Sequence, residues 1–218
     1  MLALTRFYVT TVGKKFVMAV TGIVLLGFVL VHMLGNLQLF GGPAKLNAYA
    51  AFLHGHAKLL WTFRVVMLVS AGWHVLLAIQ LTLRNWANRP QKYRVVKYRE
   101  ADVTSRTMIY GGIFLVAFVI YHLAHLTLGA VGPAFDANNV YANVVAGFRV
   151  WWITAFYIVG MVALGLHLYH GAWSLFQTLG LNHPLYNWLR RWLATSFAVV
   201  VAGLNIVMPL AVLAGAVK

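Results

Sequence analysis

Four histidines, each within a different long apolar segment, are the residues of this chain best suited to chemistry. They are His32, His74, His122 and His167. A histidine in the hydrocarbon core of a membrane is energetically costly, and ionisable residues kept there usually serve ions, protons or cofactors. Neutral imidazole is also the commonest metal ligand among side chains. The pattern therefore predicts metal centres that paired imidazoles hold between helices.

The composition places these histidines in a membrane. The 218 residues are 62% hydrophobic and 9% charged, whereas soluble domains are about 25% charged. We predict an all-α membrane protein that forms one domain over residues 1–218, with its first four transmembrane helices forming the histidine-bearing bundle. The apolar run after Lys14 and Lys15 is too long for a signal peptide, so we expect a retained first helix. The five predicted spans are about 16–38, 61–83, 108–130, 151–178 and 193–216.

The distribution of basic residues predicts the orientation. Twelve of the 17 lysines and arginines lie on the side that holds the N-terminus, which the positive-inside rule assigns to the cytoplasm. The C-terminus is then outside. Helix rise places His32 and His122 roughly 21–24 Å from the inner face, and His74 and His167 roughly 14–16 Å from it. We therefore expect an outer pair, His32 with His122, and an inner pair, His74 with His167.

The residue types narrow the chemistry of these two centres. The chain has no cysteine, which excludes iron–sulfur ligation, covalently attached haem c and disulfides. It also lacks a glycine-rich dinucleotide fingerprint, so we expect no flavin on this chain. Two b-type haems are the natural candidates, and a haem with two axial histidines carries electrons because no position is open to oxygen. The net charge of +14 is a sign of membrane topology, not of nucleic-acid binding.

Two further histidines leave the ligand assignment open. His125 and His170 each follow a proposed ligand by three residues, and residues at that spacing lie about one helical turn apart. Either could be the ligand in place of its neighbour. We interpret them as hydrogen-bonding residues near a haem edge or a quinone.

The segments around the four histidines resemble a known family. They are LVHMLGN around His32, GWHVLLA around His74, IYHLAHL around His122 and GLHLYHGAWSLFQTLG around His167, preceded by GKKFVMAVTG. In order and spacing they resemble the cytochrome b558-type membrane anchor of succinate dehydrogenase and fumarate reductase. This is the form with five helices, one polypeptide and two haems. The resemblance covers essentially the whole chain.

The resemblance implies a role for each histidine. His32 and His122 would hold the haem distal to the soluble subunits, and His74 and His167 the proximal one. It favours His167 over His170, because a family glycine four residues after the ligand matches Gly171. Some fumarate reductases of this type carry a membrane carboxylate two residues before the last ligand. Here that position is Gly165, so we expect no proton path through a helix carboxylate.

The resemblance also implies partners and a location. An iron–sulfur subunit and a flavoprotein with FAD would bind on the cytoplasmic side of a prokaryotic inner membrane. Electrons would pass between them and a quinone, most commonly menaquinone, in either the succinate-oxidising or the fumarate-reducing direction. Association of the whole complex into a higher oligomer is consistent with this family. The basic segment Arg84–Arg106 is either a topology signal or the docking surface for the iron–sulfur subunit.

Polar residues near the ends of the spans are candidates for secondary contacts. Arg64 suits the propionates of the outer haem. The candidates for the inner haem propionates are Lys14, Lys15, Arg106 and Gln177, since partly buried carboxylates need cations or hydrogen bonds. For quinone contacts, Thr21 and Trp173 suit an inner site, and Asn36 and Gln38 an outer one.

Three other classes of protein remain compatible with the sequence. One is the cytochrome b subunit of another respiratory enzyme, of the hydrogenase or formate dehydrogenase type. A second is a haem-free transporter or channel that relays protons through histidines, although its helices lack the carboxylates that such relays commonly use. A third is a purely structural anchor. An optical spectrum separates the haem-binding classes from the others.

Overall fold

The computed structural model describes residues 2–89, 91 and 103–218, and it is helical over nearly all of them. No β-strand occurs within these ranges, which confirms the all-α prediction. Two short 3₁₀ segments, Leu37–Gly41 and Pro184–Tyr186, accompany the α-helices. The helices are α1 (Leu2–Val9), α2 (Thr11–Asn36), α3 (Pro43–Gly55), α4 (Ala57–Ala87), α5 (Val103–Leu126), α6 (Val140–Phe148), α7 (Trp151–Thr178) and α8 (Asn187–Leu213).

Five helices within the described ranges are long and apolar enough to cross a membrane. They are α2 with the 3₁₀ segment after it, α4, α5, α7, and α8 with the 3₁₀ segment before it. Their lengths run from 24 to 31 residues, and each can cross a hydrocarbon core of about 30 Å at about 1.5 Å per residue. The prediction of a multi-pass membrane protein is therefore confirmed.

Four of the helices, α2, α4, α5 and α8, begin four to six residues before the predicted spans, because hydropathy marks only their apolar parts. Helix α7 matches its predicted span, and α5 and α8 end four and three residues early. The first transmembrane helix begins at Thr11 instead of residue 16, since the Thr10 hydroxyl accepts a hydrogen bond from the Gly13 amide at 2.9 Å. A threonine N-cap of this kind satisfies a first-turn donor. The last helix begins at Asn187 instead of 193.

Two segments that the sequence suggested as loops contain helices. Helix α3 lies in the 41–60 segment and begins with Pro43, a residue favoured in a first helical turn. Helix α6 follows the 132–139 connection, and the Asn139 side chain caps it by accepting from the Ala142 amide at 3.1 Å. The Asn47 amide of α3 donates to Asn139 at 3.0 Å, and its oxygen accepts from the Tyr141 amide at 3.0 Å. The two helices are thus joined at one end of the bundle.

Four of the long helices form a square bundle. Helix α2 packs against α4 and α7, and α5 packs against α7 and touches α4. The diagonal partners, α2 with α5 and α4 with α7, are not packed backbone to backbone within the described ranges. Helix α8 lies outside this square, mainly against α7. Side chains from both diagonal pairs of helices can therefore meet at the centre of the bundle.

The apolar core lies away from the centre of this bundle. The larger cluster of buried residues joins α5, α6, α7 and α8 at the end where α3 lies. A second cluster, formed by Met33, Leu168, Ala198 and Val201, joins α2, α7 and α8. Among the described residues, neither cluster contains one from α4. The packing is thus concentrated around α7 and α8, and the region between the diagonals is not filled by these clusters.

Candidate functional site

The four histidines meet across the two diagonals of the bundle. The ring centroids of His32 on α2 and His122 on α5 are 5.8 Å apart. Those of His74 on α4 and His167 on α7 are 6.3 Å apart. All four side chains are half-buried. The structure thus brings together the residues expected as the outer and inner pairs, while their role as ligands stays a prediction. The names of the pairs follow the predicted orientation.

The two pairs occupy different levels along the bundle axis. On α2, Thr21 contacts the inner His74, and His32 follows eleven positions later, which corresponds to about 16 Å along the helix. On α7, Tyr157 contacts the outer His122, and His167 follows ten positions later, which corresponds to about 15 Å. Two antiparallel helices therefore give the same spacing between the levels.

Aromatic residues set the ring planes of the outer pair. Phe28 stacks on His32 with centroids 5.3 Å apart and planes 11° from parallel. Phe118 stacks on His122 at 6.1 Å and 19°. Each phenylalanine precedes its histidine by four residues, the spacing at which side chains meet on one helix face. The two imidazoles are nearly perpendicular to each other, at 84°.

Tyr157 connects His122 to His125 through its hydroxyl group. The Nδ1 atom of His122 lies 3.3 Å from the Tyr157 oxygen, and that of His125 lies 3.0 Å from it. A phenol has one hydrogen to donate and can also accept. Tyr157 can therefore accept from Nδ1–H of His122 while it donates to Nδ1 of His125. This arrangement leaves Nε2 of His122 unprotonated and able to bind a metal.

Two glycines leave the room that the His125 ring occupies beside the outer pair. Its side chain is only 3% exposed. A Cβ atom on Gly147 would lie 2.6 Å from its Nε2, and one on Gly132, where φ is +95°, would lie 2.7 Å from its Cδ2. Larger residues at these positions would displace the ring. Of the two histidines that the sequence left open, His122 is the one in ring contact with His32, and His125 is a hydrogen-bonding neighbour.

The inner pair is oriented by a threonine on the neighbouring helix. The Thr21 hydroxyl has the Val17 and Met18 carbonyls as acceptors, both at 3.0 Å. Its oxygen also lies 3.4 Å from Nδ1 of His74. When the hydroxyl hydrogen is directed to a carbonyl, the oxygen can accept from Nδ1–H of His74, and in that tautomer Nε2 is unprotonated. The ring of His167 faces His74, and His170 lies half-buried one turn further on.

The geometry of both pairs fits an iron between two imidazoles. Metal–nitrogen bonds of about 2.0–2.1 Å on opposite sides of an ion place the ring centroids roughly 6 Å apart. Among the described residues, no group of three or more His, Cys, Asp or Glu side chains could hold a metal ion. Each pair offers two imidazoles, and His32, His122, His74 and His167 are the residues that would hold a haem there.

Two glycines leave open space beside the inner pair. Gly171 lies one turn after His167 on the same helix face, and a Cβ atom there would meet no other atom within 4 Å. The same holds for Gly111 on α5. Gly111 and His167 both line a cavity of about 110 Å³ between α5 and α7. The Nδ1 atom of His167 is buried and has no hydrogen-bond partner in the described part of the chain. These positions leave open space on the α5 and α7 sides of the inner pair, next to an imidazole nitrogen without a partner.

The propionate candidates differ in their surroundings. Lys14 is buried, donates to Gln80 of α4 and lies 5.5 Å from the centroid of the Tyr8 ring. Arg64 stacks on Trp61, with 5.0 Å from its guanidinium carbon to the ring centroid. The other three, Lys15, Arg106 and Gln177, are exposed at the end of the bundle where α2 begins. We call this end the N-terminal face.

The quinone candidates are divided between the two ends of the bundle. Thr21 is engaged with His74, and Trp173 is stacked on Arg190 and Arg191 at 4.3 and 5.0 Å. Asn36 and Gln38 are half-buried at the opposite end. Most of the predicted docking segment, including Lys92, Arg94, Lys97 and Arg99, lies outside the described residues.

Sequence reasoning missed the residues that orient the histidines. Phe28 and Phe118 carried a readable signal, since each lies four residues before a histidine. The depth of Tyr157 could also have been predicted. It lies ten residues from His167 on α7, which places it at the level of the outer pair. The link between Lys14 and Gln80 had no comparable signal.

Comparisons with known proteins add no further identification. The chain matches no protein-family model, and the comparisons with curated proteins and with solved structures found no match. The family resemblance of its histidine motifs therefore stays a prediction.

Proposed function

We propose that this chain is the membrane anchor and electron-transfer subunit of a succinate:quinone oxidoreductase. In this proposal the outer and inner pairs each hold one haem b. The observation that carries it is the meeting of two imidazole pairs across both diagonals of one bundle, at levels roughly 15 Å apart. Cofactor sites in helical bundles are built in this way, from side chains on facing helices.

Haem b bound by two imidazoles supplies a one-electron carrier that has no open position for oxygen. The chain's own residues bind and orient it. His32, His122, His74 and His167 would be its ligands. Thr21 and Tyr157 lie within hydrogen-bond distance of Nδ1 of His74 and His122. By accepting from Nδ1–H they would fix the tautomers and raise the basicity of Nε2. The apolar helices around the pairs exclude water, which also affects the reduction potential.

The proposed partners would bind the N-terminal face. Basic side chains are concentrated there and are well suited to an acidic protein surface. Those within the described ranges are Arg6, Lys14, Lys15, Arg84, Arg89, Arg106, Arg190 and Arg191, of which Lys14 and Arg190 are buried. We propose that an iron–sulfur subunit binds this face together with an FAD-containing flavoprotein. A quinone in the membrane, menaquinone by the resemblance, would be the other redox partner.

The experiment is a reduced-minus-oxidised spectrum of the purified full chain, with the haem quantified chemically. We expect two haem b groups per chain. His74→Ala and His167→Ala should each remove the same centre, and His32→Ala and His122→Ala should each remove the other. His54→Ala, in the exposed part of α3, is the matched control and should keep both. Purification without haem, or two centres in all four variants, would refute the assignment.

A second measurement separates the respiratory enzymes from one another. The complex should be purified from its native membrane through a tag on this chain. Succinate-oxidising flavoprotein in the purified complex supports the proposal. A hydrogenase or formate dehydrogenase subunit in its place would identify the alternative cytochrome b class.

One observation favours a second candidate function. The hydrogen-bonded row His122–Tyr157–His125 lies within membrane-spanning helices, and such rows also occur in proton relays. A haem-free transporter of this kind would give no haem absorption band. It would instead move protons across the membrane of proteoliposomes, and Tyr157→Phe would stop this movement.

A further inference from the structure

Arg190, in the first turn of α8, has a buried guanidinium whose donors are only partly used. The side chain is 4% exposed. Its Nη2 donates to the Asn187 side chain. Nε and Nη1 are buried and have no hydrogen-bond partner within the described ranges. A buried charge with unpaired donors is strongly unfavourable unless a ligand completes it.

Stacking on Trp173 does not use these donors. The guanidinium carbon lies 4.3 Å from the centroid of the indole ring. This contact engages the face of the guanidinium plane, whereas its N–H groups point outward within that plane. Nε–H and Nη1 lie on different edges of this plane, because Nη1 is on the same side as Cδ. Each shares an edge with Nη2, which keeps a second hydrogen after it donates to Asn187. One edge can therefore still bind carboxylate or phosphate oxygens in a bidentate manner.

A cavity lies beside the guanidinium. Its volume is about 450 Å³, and Arg190 lines it together with the polar residues Asn182, His183 and Tyr186. Phe176 and Leu193 form part of its apolar wall. The N-terminus of α8 begins at the same place, and its N-cap residue Tyr186 makes no side-chain capping bond. The Asn187 amide donates to the Pro184 carbonyl, and the following first-turn amides and the helix dipole favour an anion there.

The position of the cavity argues against a haem propionate as the anion. A Cβ atom on Gly165 would lie 3.0 Å from Ala202 of α8, so Gly165 marks the side of α7 that faces α8. His167 is two residues further on and points about 200° away around the helix. The inner pair and Arg190 therefore lie on different sides of α7.

The surroundings point to a lipid. The cavity lies at the end of two membrane-spanning helices, where Trp188 and Trp192 are exposed, and tryptophan is enriched at membrane interfaces. We infer that this cavity binds the phosphate group of an anionic phospholipid, with one edge of the Arg190 guanidinium donating two N–H groups to two phosphate oxygens. The acyl chains would lie against Phe176 and Leu193. The inference is independent of the proposed function.

The test measures lipid retained by the full chain. The protein is purified in neutral detergent, stripped of lipid, incubated with phosphatidylglycerol and washed. Bound lipid is then counted by native mass spectrometry. We expect the unmodified chain to retain one molecule. Arg190→Gln should bind it roughly 10- to 100-fold more weakly, as expected for the loss of charge-assisted hydrogen bonds.

Arg191→Gln is the matched control, because Arg191 is exposed and contacts the same indole. It should retain the lipid. If Arg190→Gln fails to fold, Arg190→Lys keeps the charge but cannot form the bidentate contact, and it should bind about tenfold more weakly.

Four outcomes would overturn the inference. The first is that the unmodified chain retains no lipid, and the second is that the Arg190 and Arg191 variants weaken binding equally. The third is that inorganic phosphate protects the chain from thermal unfolding as well as the lipid does, which would indicate a free-phosphate site. The fourth is that Arg190→Gln changes haem content while lipid retention is unchanged, which would assign the guanidinium to a cofactor carboxylate.

Discussion

At the scale of single residues, the hydrogen bonds to Nδ1 distinguish the histidines of the two pairs. His122 has Tyr157 as its partner, and His74 has Thr21. Each partner stands on a helix that supplies a ligand candidate to the other pair. A hydrogen bond from Nδ1–H increases the electron donation of the imidazole to a bound metal. The two centres can therefore be changed one at a time without removing a ligand candidate.

Tyr157→Phe should raise the reduction potential of the outer centre and leave the inner one unchanged. Without the phenolic acceptor, His122 becomes a weaker donor, so the ferric state is less stabilised. A hydrogen bond of ordinary strength corresponds to a rise of roughly 20–60 mV for one electron. A spectroscopic redox titration of the purified protein measures it. Thr21→Val is the matched variant and should change the inner centre instead.

Equal shifts of both centres in either variant would contradict the separate hydrogen bonds. So would an unchanged outer centre in Tyr157→Phe. The two centres are distinguished beforehand by the spectra of His122→Ala and His74→Ala, each of which should lack one of them.

The choice between His122 and His125 shows what the sequence leaves undecided at this scale. The three-residue spacing makes both residues eligible. What separates them is contact with Gly132 and Gly147, which follow His125 by 7 and 22 positions. A periodicity along one helix carries no information about such contacts. The grouping of His32 with His122, by contrast, was accessible because it depends only on depth in the membrane.

At the scale of helices, α3 and α6 form where hydropathy suggested loops. They are 13 and 9 residues long, and helices this short are marginal in isolation. Their contacts with the rest of the molecule stabilise them. Tyr49 of α3 packs so closely on α2 that a Cβ atom on Gly35 would lie 2.7 Å from its hydroxyl oxygen. The long spans were predictable because their own composition determines them, whereas these two helices depend on tertiary contacts.

Asn47→Ala should separate α3 from α6. It removes the hydrogen bonds to Asn139 and to the Tyr141 amide. We expect a loss of about 1–3 kcal/mol in the free energy of unfolding, measured by denaturation in detergent, with both ring pairs intact. Asn138→Ala is the control, because that side chain is exposed. Equal stability of the two variants would contradict the proposed role of Asn47.

Gly171→Ala tests whether a macrocycle lies beside His167. In the haem-free chain the added methyl group meets no atom within 4 Å, and alanine favours a helix over glycine by up to about 1 kcal/mol. Stability should thus be unchanged or slightly higher. With haem present, the methyl group should hinder its binding and lower the occupancy of the inner centre alone. Haem quantification and thermal unfolding of both forms measure these effects.

Gly203→Ala provides the control on α8, where a Cβ atom also meets nothing within 4 Å. It should leave both centres fully occupied. Full inner occupancy in Gly171→Ala as well would mean that no macrocycle approaches α7 at this turn.

At the scale of the whole molecule, the core is displaced from the bundle centre toward α7 and α8. Helix α4 supplies no residue to either apolar cluster among the described residues. Helix α4 contacts α2 through hydrogen bonds from Lys14 to Gln80 and between Thr21 and His74. Its buried residues Leu77 and Leu81 lie outside both clusters, and a group bound between the diagonals would add contacts to α4. The loss of such a group should therefore weaken the packing of α4 more than that of α8.

Removal of haem should accordingly loosen α4 first. Anything bound only by the folded state stabilises it by mass action, and the effect on hydrogen exchange is greatest where few other contacts protect the backbone. Full-length protein from haem-limited and haem-supplied cells should be compared by amide hydrogen exchange in detergent. We expect residues around His74 to lose protection without haem, while the α7–α8 contact around Ala198 and Val201 keeps it. Uniform loss in all helices would mean that the cofactor supports the fold globally, and unchanged protection of α4 would show that nothing between the diagonals stabilises it.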